Sequence, residues 1–346
     1  MDSNGKINIK IIRAWEVRKT QLLKQINKIP AGTMIVPLFA SAILNTFCPS
    51  ILRIGSYSQA ILSDDGLKVM MVLTLLFTGT QMSISDIPQA IKRGGSHVLF
   101  KYLVGAGVYI LIFRYFGNAG ILGTCSLAIL CALTNNNGSL YMGLVQTYGD
   151  HADLVARPMF NLNSGPMLSL LTVGISGGAL INWQEYVTIL VPICIGILLC
   201  TIDKEIKIAA ERGIAIVLPI MGFILGANIN LYDIATGGFS GVFLFIIVIV
   251  VTGPVALIVD RVLLKRPGYG GMATVSVAGN TIAVPVMIGQ IVPSFASYVK
   301  LATVQISCAT VLSAILCPFI VQWFAKRYGC PKYEQNFGVK KEELVY

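Results

Sequence analysis

The sequence predicts an all-α polytopic membrane protein of ten transmembrane helices, arranged as two inverted five-helix repeats with helices 4 and 9 discontinuous. Three observations predict it. Apolar runs of about 17 to 25 residues, the length that crosses a bilayer, recur along nearly the whole chain. Of its 346 residues 55% are hydrophobic and only 12% charged, with a mean hydropathy of +0.75; soluble domains carry about 25% charged residues. Short motifs also recur in the same order in the two halves.

Residues 1–32 form a basic N-terminal segment in which Lys6 to Lys28 alternates with Ile, Leu and Trp15, with no A-x-A-like cleavage site. Two readings stand: an amphipathic helix on the cytoplasmic face, or a mobile basic tail. Ten spans follow, at about 33–49, 66–82, 97–116, 120–148, 158–180, 186–201, 213–230, 239–263, 269–292 and 296–325. The first repeat is 33–180, the second 186–325, and 326–346 is a cytoplasmic tail. With both termini inside, all but five of the 26 basic residues fall on the cytoplasmic side; the five are Arg53, Lys68, Lys101, Arg114 and Lys300. Lys101 is placed near an inner membrane end. The net charge of +10 is thus accounted for by topology, without a nucleic-acid partner.

The repeat rests on two motif pairs. Ile35-Val-Pro-Leu-Phe-Ala-Ser-Ala-Ile-Leu-Asn-Thr46 resembles Leu190-Val-Pro-Ile-Cys-Ile-Gly-Ile-Leu-Leu-Cys-Thr201, aligning Pro37 with Pro192. Gly79-Thr-Gln-Met-Ser-Ile-Ser-Asp-Ile87 resembles Gly226-Ala-Asn-Ile-Asn-Leu-Tyr-Asp-Ile234. Five spans per copy is an odd number, so the copies face opposite ways across the membrane.

Span 4 is interrupted by Thr134-Asn135-Asn136-Asn137-Gly138-Ser139-Leu140-Tyr141. Backbone that leaves the helix at membrane depth survives only where protein or a cavity meets its polar groups. The repeat predicts a counterpart in span 9, and Val277-Ala-Gly-Asn-Thr-Ile-Ala-Val-Pro285 supplies a glycine, an amide, a hydroxyl and a proline there. Paired interrupted segments in two halves point to a transporter binding site. Half-helices starting near Gly138 and Thr281 aim free N–H groups at a carboxylate. Asn135, Asn136, Asn137, Ser139, Asn280 and Thr281 offer donors and acceptors for hydroxyl and keto groups, with no Arg or Lys expected at that depth. Gly138 and Gly279 permit the breaks, Pro285 suits the first turn of a half-helix, and Tyr141 either closes over the ligand or packs.

Thr134, Asn161, Asn163 and Ser164, with Thr303, Gln305 and Ser307 of span 10, place oxygens in apolar surroundings. They serve a coupling ion, the substrate or interhelical hydrogen bonding. The eight cysteines form no CxxC pair and read as packing residues, with no metal site. His97 reads as a surface histidine and Asp260-Arg261 as a cytoplasmic end.

Lys28-Ile-Pro-Ala-Gly-Thr-Met-Ile-Val-Pro37, Asn137-Gly-Ser-Leu-Tyr141, Ser164-Gly-Pro166 and Ala278-Gly-Asn-Thr-Ile-Ala-Val-Pro285 resemble the 2-keto-3-deoxygluconate permeases, from about Lys24 to Arg327. The resemblance implies a bacterial inner-membrane symporter importing that sugar acid with protons. It also implies the ten-span fold of bile-acid/sodium-symporter type, with two crossed discontinuous helices. Acidic residues that members carry ahead of N-G-[GS]-L-Y and before S-G-P are here Thr134-Asn135 and Asn163. No Asp or Glu lies deep in a predicted span, so the residues leave the coupling ion open between H+ and Na+. No further cofactor is expected, and a monomer and a homodimer are equally compatible.

Other functions fare worse. A sodium-coupled carrier of another organic anion is the nearest alternative; a channel or sensor is the next, though the tail after Arg327 is too short for an output domain. An enzyme would need convergent nucleophiles, metal ligands or paired carboxylates. No G-x-x-x-x-G-K-[ST] motif is present for ATP-driven pumping.

Overall fold

The computed structural model describes residues 26, 32–81, 87–156, 159–160, 163, 165–177, 182–228 and 231–333. The expected N-terminal amphipathic helix, most of the tail, and candidates Asn161 and Ser164 lie outside them. Every named element among the described residues is helical. The principal helices are α1 (Gly32–Phe47), α2 (Asp64–Gly79), α3 (Ser96–Phe116), α4 (Ser126–Thr134), α5 (Gly138–Tyr148), α6 (His151–Val155) and α7 (Met167–Ile175). They continue with α8 (Trp183–Ile202), α9 (Lys204–Gly226), α10 (Leu231–Ile258), α11 (Tyr269–Ala273), α12 (Val284–Ile291) and α13 (Val299–Tyr328).

Four apolar helical stretches, Ile91–Ala119, Glu205–Gly226, Gly237–Leu263 and Pro293–Tyr328, are long enough to cross a membrane. Leu99, Leu103 and Leu111 on α3, Ile216 on α9, Phe239, Ile246 and Val250 on α10, and Phe319 and Trp323 on α13 all face outward. Apolar side chains this numerous on helix exteriors are stable in hydrocarbon. The helix predicted from 213 starts at Lys204. The Asp203 carboxylate accepts from the Glu205 N–H, and this cap holds a charged first turn that hydropathy alone leaves out.

Two groups of helices emerge from the packing. In one, α1 lies against α9, and α2 against both α8 and α9. In the other, α10 packs on α13 and α3, α3 on α4, and α13 on α11 and α4. Between α1 of the first group and α10 and α13 of the second runs an almost wholly apolar groove of about 260 Å³, lined by Leu38, Phe39, Val304, Val311 and Leu312.

The first group is closed by a reciprocal contact. A Cβ on Gly79 would stand 2.2 Å from the Ile193 carbonyl oxygen, and one on Gly226 would stand 1.9 Å from the Leu38 carbonyl oxygen. Gly79 and Gly226 are matched residues of one motif pair, and Leu38 and Ile193 are the residues after the matched prolines of the other. Small residues let helix backbones approach this closely in a membrane. Gly226→Ala is therefore expected to destabilise the protein by about 1–3 kcal/mol, the usual cost of overpacking. Thermal unfolding in detergent checks this, and an unchanged midpoint would contradict the contact.

Candidate functional site

The first break spans 135–137. Helix α4 ends at Thr134 and α5 starts at Gly138, as its glycine predicted. Asn137 caps α5: its Oδ1 accepts from the Leu140 N–H at 3.0 Å, while its Nδ2 donates to the Val277 carbonyl at 3.0 Å. That second bond joins the two interrupted segments. The Thr134 hydroxyl lies 2.8 Å from Ser169 Oγ on α7, and Asn135 Nδ2 donates to the Cys131 carbonyl at 2.8 Å and to Ser169 Oγ at 3.3 Å.

The second break runs from 274 to 279, between α11 and a 3-10 turn, Asn280–Ala283, that leads into α12. One face of α13 satisfies its backbone. Ser313 Oγ accepts from the Val277 N–H at 3.2 Å, Thr310 Oγ1 donates to the Ala278 carbonyl at 3.4 Å, and Cys317 Sγ donates to the Val275 carbonyl at 2.7 Å. Non-helical backbone at this depth needs such partners. Pro285 occupies the first turn of α12, where its missing N–H costs no hydrogen bond.

A lysine stands between the breaks, against expectation. Lys101 of α3 is buried, and its Nζ donates to the Asn135 carbonyl at 2.8 Å and to the Thr274 carbonyl at 3.2 Å. Hydropathy placed it near a membrane end because it sits close to the helix start. Its long stem instead carries the ammonium inward to both broken segments.

Several amides remain unmatched. Both side-chain polar atoms of Asn136 and of Asn163 are buried without a hydrogen-bond partner, as are Asn135 Oδ1 and the Thr281 hydroxyl. Each such group costs about 1–3 kcal/mol if left so. Asn280 lines a narrow cleft with Gly165, Pro166 and Val284 on one side and Thr74, Thr78 and Met221 on the other. This cleft separates the two helix groups, and its volume is about 30 Å³; pockets for small organic ligands hold several hundred.

The other candidates divide. Gly279 precedes the 3-10 turn with helical backbone angles. Ser139 lies in the first turn of α5. Tyr141 is buried with its ring centroid 4.4 Å from that of Phe160, a packing contact away from the cleft lining. Gln305 holds the start of α4: its Oε1 accepts from the Cys125 N–H at 3.1 Å, and its Nε2 donates to the Gly123 carbonyl and Ser240 Oγ. Thr303 donates to the Val299 carbonyl of its own helix.

A buried ionic cluster ties the start of α3, α6 and the end of α10 together. Arg93 Nε donates to Asp153 at 2.7 Å and its Nη1 to Asp260 at 3.3 Å; His97 Nε2 lies 3.1 Å from the same Asp260 oxygen. The Tyr269 hydroxyl and the Gly271 N–H complete the acceptors of Asp153 and Asp260. Arg266 pairs with Asp150; burial opposes ionisation there, but this hydrogen bond and charge outweigh it and hold the carboxyl below its ordinary range. The expectation of a surface histidine is corrected: His97 is 3% exposed, because α6 and the end of α10 fold over it. Asp260 does close α10, but it is fully buried.

Arg93, His97 and Lys101 fall at i, i+4 and i+8, one face of a helix. That polar stripe was the available signal for both missed features.

Taken together, the two breaks bring helix ends and buried amides close to one another, and Asn280 of the second break opens onto the cleft. The sequence matches the 2-keto-3-deoxygluconate permease family model over residues 23–330. It is 35% identical over 304 residues to 2-keto-3-deoxygluconate permease 1 of Salmonella typhimurium, covering 88% of this chain and 95% of that one. The corresponding permease of Pectobacterium carotovorum is 32% identical over 320 residues, 90% of this chain and 99% of its own, and that of Dickeya chrysanthemi 30% over 310 residues, 88% and 91%. The chain therefore belongs to the 2-keto-3-deoxygluconate permease family: it is a membrane-embedded transporter and not an enzyme.

Proposed function

We propose that this protein imports 2-keto-3-deoxygluconate across the bacterial inner membrane together with a proton, by alternating access around the two helix breaks. The observation that carries this is the junction itself. Asn137 of one break bonds the other, Asn136 beside it has no protein partner, and Asn280 of the second break lines a cleft between two helix groups. The N–H groups at the start of α5 receive the carboxylate, and Asn136, Asn163, Asn280 and Thr281 receive hydroxyl and keto oxygens. The cleft is too narrow for the sugar acid as it stands, so the group containing α1, α2, α8 and α9 moves against the other during transport.

Behind this reading stands a ten-span topology of two inverted repeats with crossed breaks and both termini in the cytoplasm. The reciprocal glycine contacts support it, as does the meeting of the start of α3, α6 and the end of α10, which this topology places on the cytoplasmic side. The relatives' printed name supports the substrate.

Proteoliposomes test the reading. Uptake of 2-keto-3-deoxygluconate is expected to accumulate under a proton gradient alone and not under a sodium gradient alone. Sodium-driven accumulation would overturn proton coupling and turn attention to the oxygens of Asn161, Asn163, Ser164 and Thr303. Accumulation under neither gradient would overturn the substrate.

A further inference from the structure

Lys101 sits where two sets of helix-end carbonyls converge. Asn135 is the C-terminal cap of α4 and Thr274 that of α11. The last carbonyls of a helix lack intrahelical N–H partners and carry its negative dipole end. In carriers built on broken helices, such carbonyl ends are where a coupling cation is held. Here they are held by an amine that is 4% exposed, and no carboxylate forms an ion pair with it among the described residues.

The surroundings of the amine are nearly neutral. From α13 the Cys317 thiol faces it, already donating to Val275. Helix α4 adds only Cys131, and α7 adds no ionisable group. One turn back on α3, His97 is engaged with Asp260 at the end of α10. Beyond it Arg93 lies between Asp260 and Asp153, with Tyr269 bonded to Asp153 and Tyr141 close to the same acids. The negative charge of that column is shared among Arg93, His97 and Arg266, not Lys101. An ammonium at this depth with only carbonyls for company costs several kcal/mol unless an anion joins it. A sugar-acid carboxylate at the start of α5, on the far side of the same three-residue break, is such an anion.

We propose that Lys101 is the proton-coupling group, its ammonium standing where another carrier would hold a sodium ion. The inference rests on the proton-symport reading above. Nζ takes one proton from water on the outer side as the substrate monoanion binds, and the substrate's carboxyl stays ionised. On the cytoplasmic side the anion leaves and the proton returns to water, leaving a neutral amine for the empty carrier's return. Each partner strengthens the other's binding by the same factor. One proton with one monoanion moves no net charge.

The test uses the full chain in proteoliposomes and compares wild type with Lys101→Gln and Lys101→Arg, which cannot lose its charge. Wild-type accumulation under a proton gradient examines the parent reading; the variants examine this one. We expect both variants to lose proton-driven accumulation by at least tenfold while Lys101→Arg keeps substrate counterflow, and wild-type accumulation to ignore an imposed membrane potential. A second measurement needs no variant: substrate added to weakly buffered wild-type protein takes up about one proton per site. Wild-type-like accumulation in either variant, or binding without proton uptake in a wild type that does accumulate with protons, would overturn the assignment.

Discussion

Alanine at position 136 is expected to lower 2-keto-3-deoxygluconate uptake by about 10- to 100-fold, the loss of one or two buried hydrogen bonds to the substrate. The same substitution should leave the melting temperature unchanged or raised. Both polar atoms of the Asn136 amide are buried without a protein partner, so alanine breaks no bond within the fold and relieves a desolvated group. Asn137 makes the contrast. Its amide caps α5 and reaches Val277, and Asn137→Ala should cost about 1–2 kcal/mol of stability as well as transport, the usual price of a lost cap. Parallel uptake and thermal-unfolding curves for the two variants decide it. Normal uptake by Asn136→Ala, or equal destabilisation of both, would remove Asn136 from the site.

Arg93→Ala should produce the largest loss of stability, about 3–5 kcal/mol, because it strands charges in the interior. Asp153 and Asp260 have no exposed surface, and both depend on the Arg93 guanidinium. Three helical segments meet there, so the damage spreads to α3, α6 and α10 together. Adding Asp153→Asn and Asp260→Asn to Arg93→Ala should recover part of the loss, since the stranded charges are then gone. A melting midpoint indifferent to Arg93→Ala would mean that water reaches the cluster.

What the sequence made legible follows from which signals are local. The first break was readable because three amides and a glycine cannot hide inside an apolar run. The second was readable because the repeat said where to look, and Pro285 marked the restart of the helix. Helix bounds match the predicted ones within a few residues for α1, α2 and α3, whereas α9 and α10 begin earlier than hydropathy placed them, at Lys204 and Leu231, because charged and polar turns belong to the same helices. The ionic cluster was not readable in that way. Arg93, Asp153 and Asp260 are far apart along the chain, and each stands at a helix end where charge is ordinary. Only folding α6 and α10 over α3 makes them a buried set. Lys101 was misplaced for a related reason: hydropathy locates a Cα, while the chemistry sits at the far end of a flexible side chain. For Gln305 the sequence left ion, substrate and interhelical hydrogen bonding open; its amide bonds Cys125, Gly123 and Ser240 at the start of α4, a use that depends on the chain at 117–125 passing beside it.

The apolar groove between α1 and the α10–α13 pair has a bearing on speed. Within the groove, sliding exchanges one van der Waals neighbour for another, whereas at the end of α1 the Leu231 N–H of α10 donates to Thr46 Oγ1 at 3.0 Å, a tie that such a slide has to break or carry along. The ionic cluster of Arg93, His97, Asp153 and Asp260 lies elsewhere, outside the group formed by α1, α2, α8 and α9. If the two groups move as proposed, resistance within the groove is viscous, and turnover is expected to slow as the bilayer stiffens even when every residue of the site is untouched.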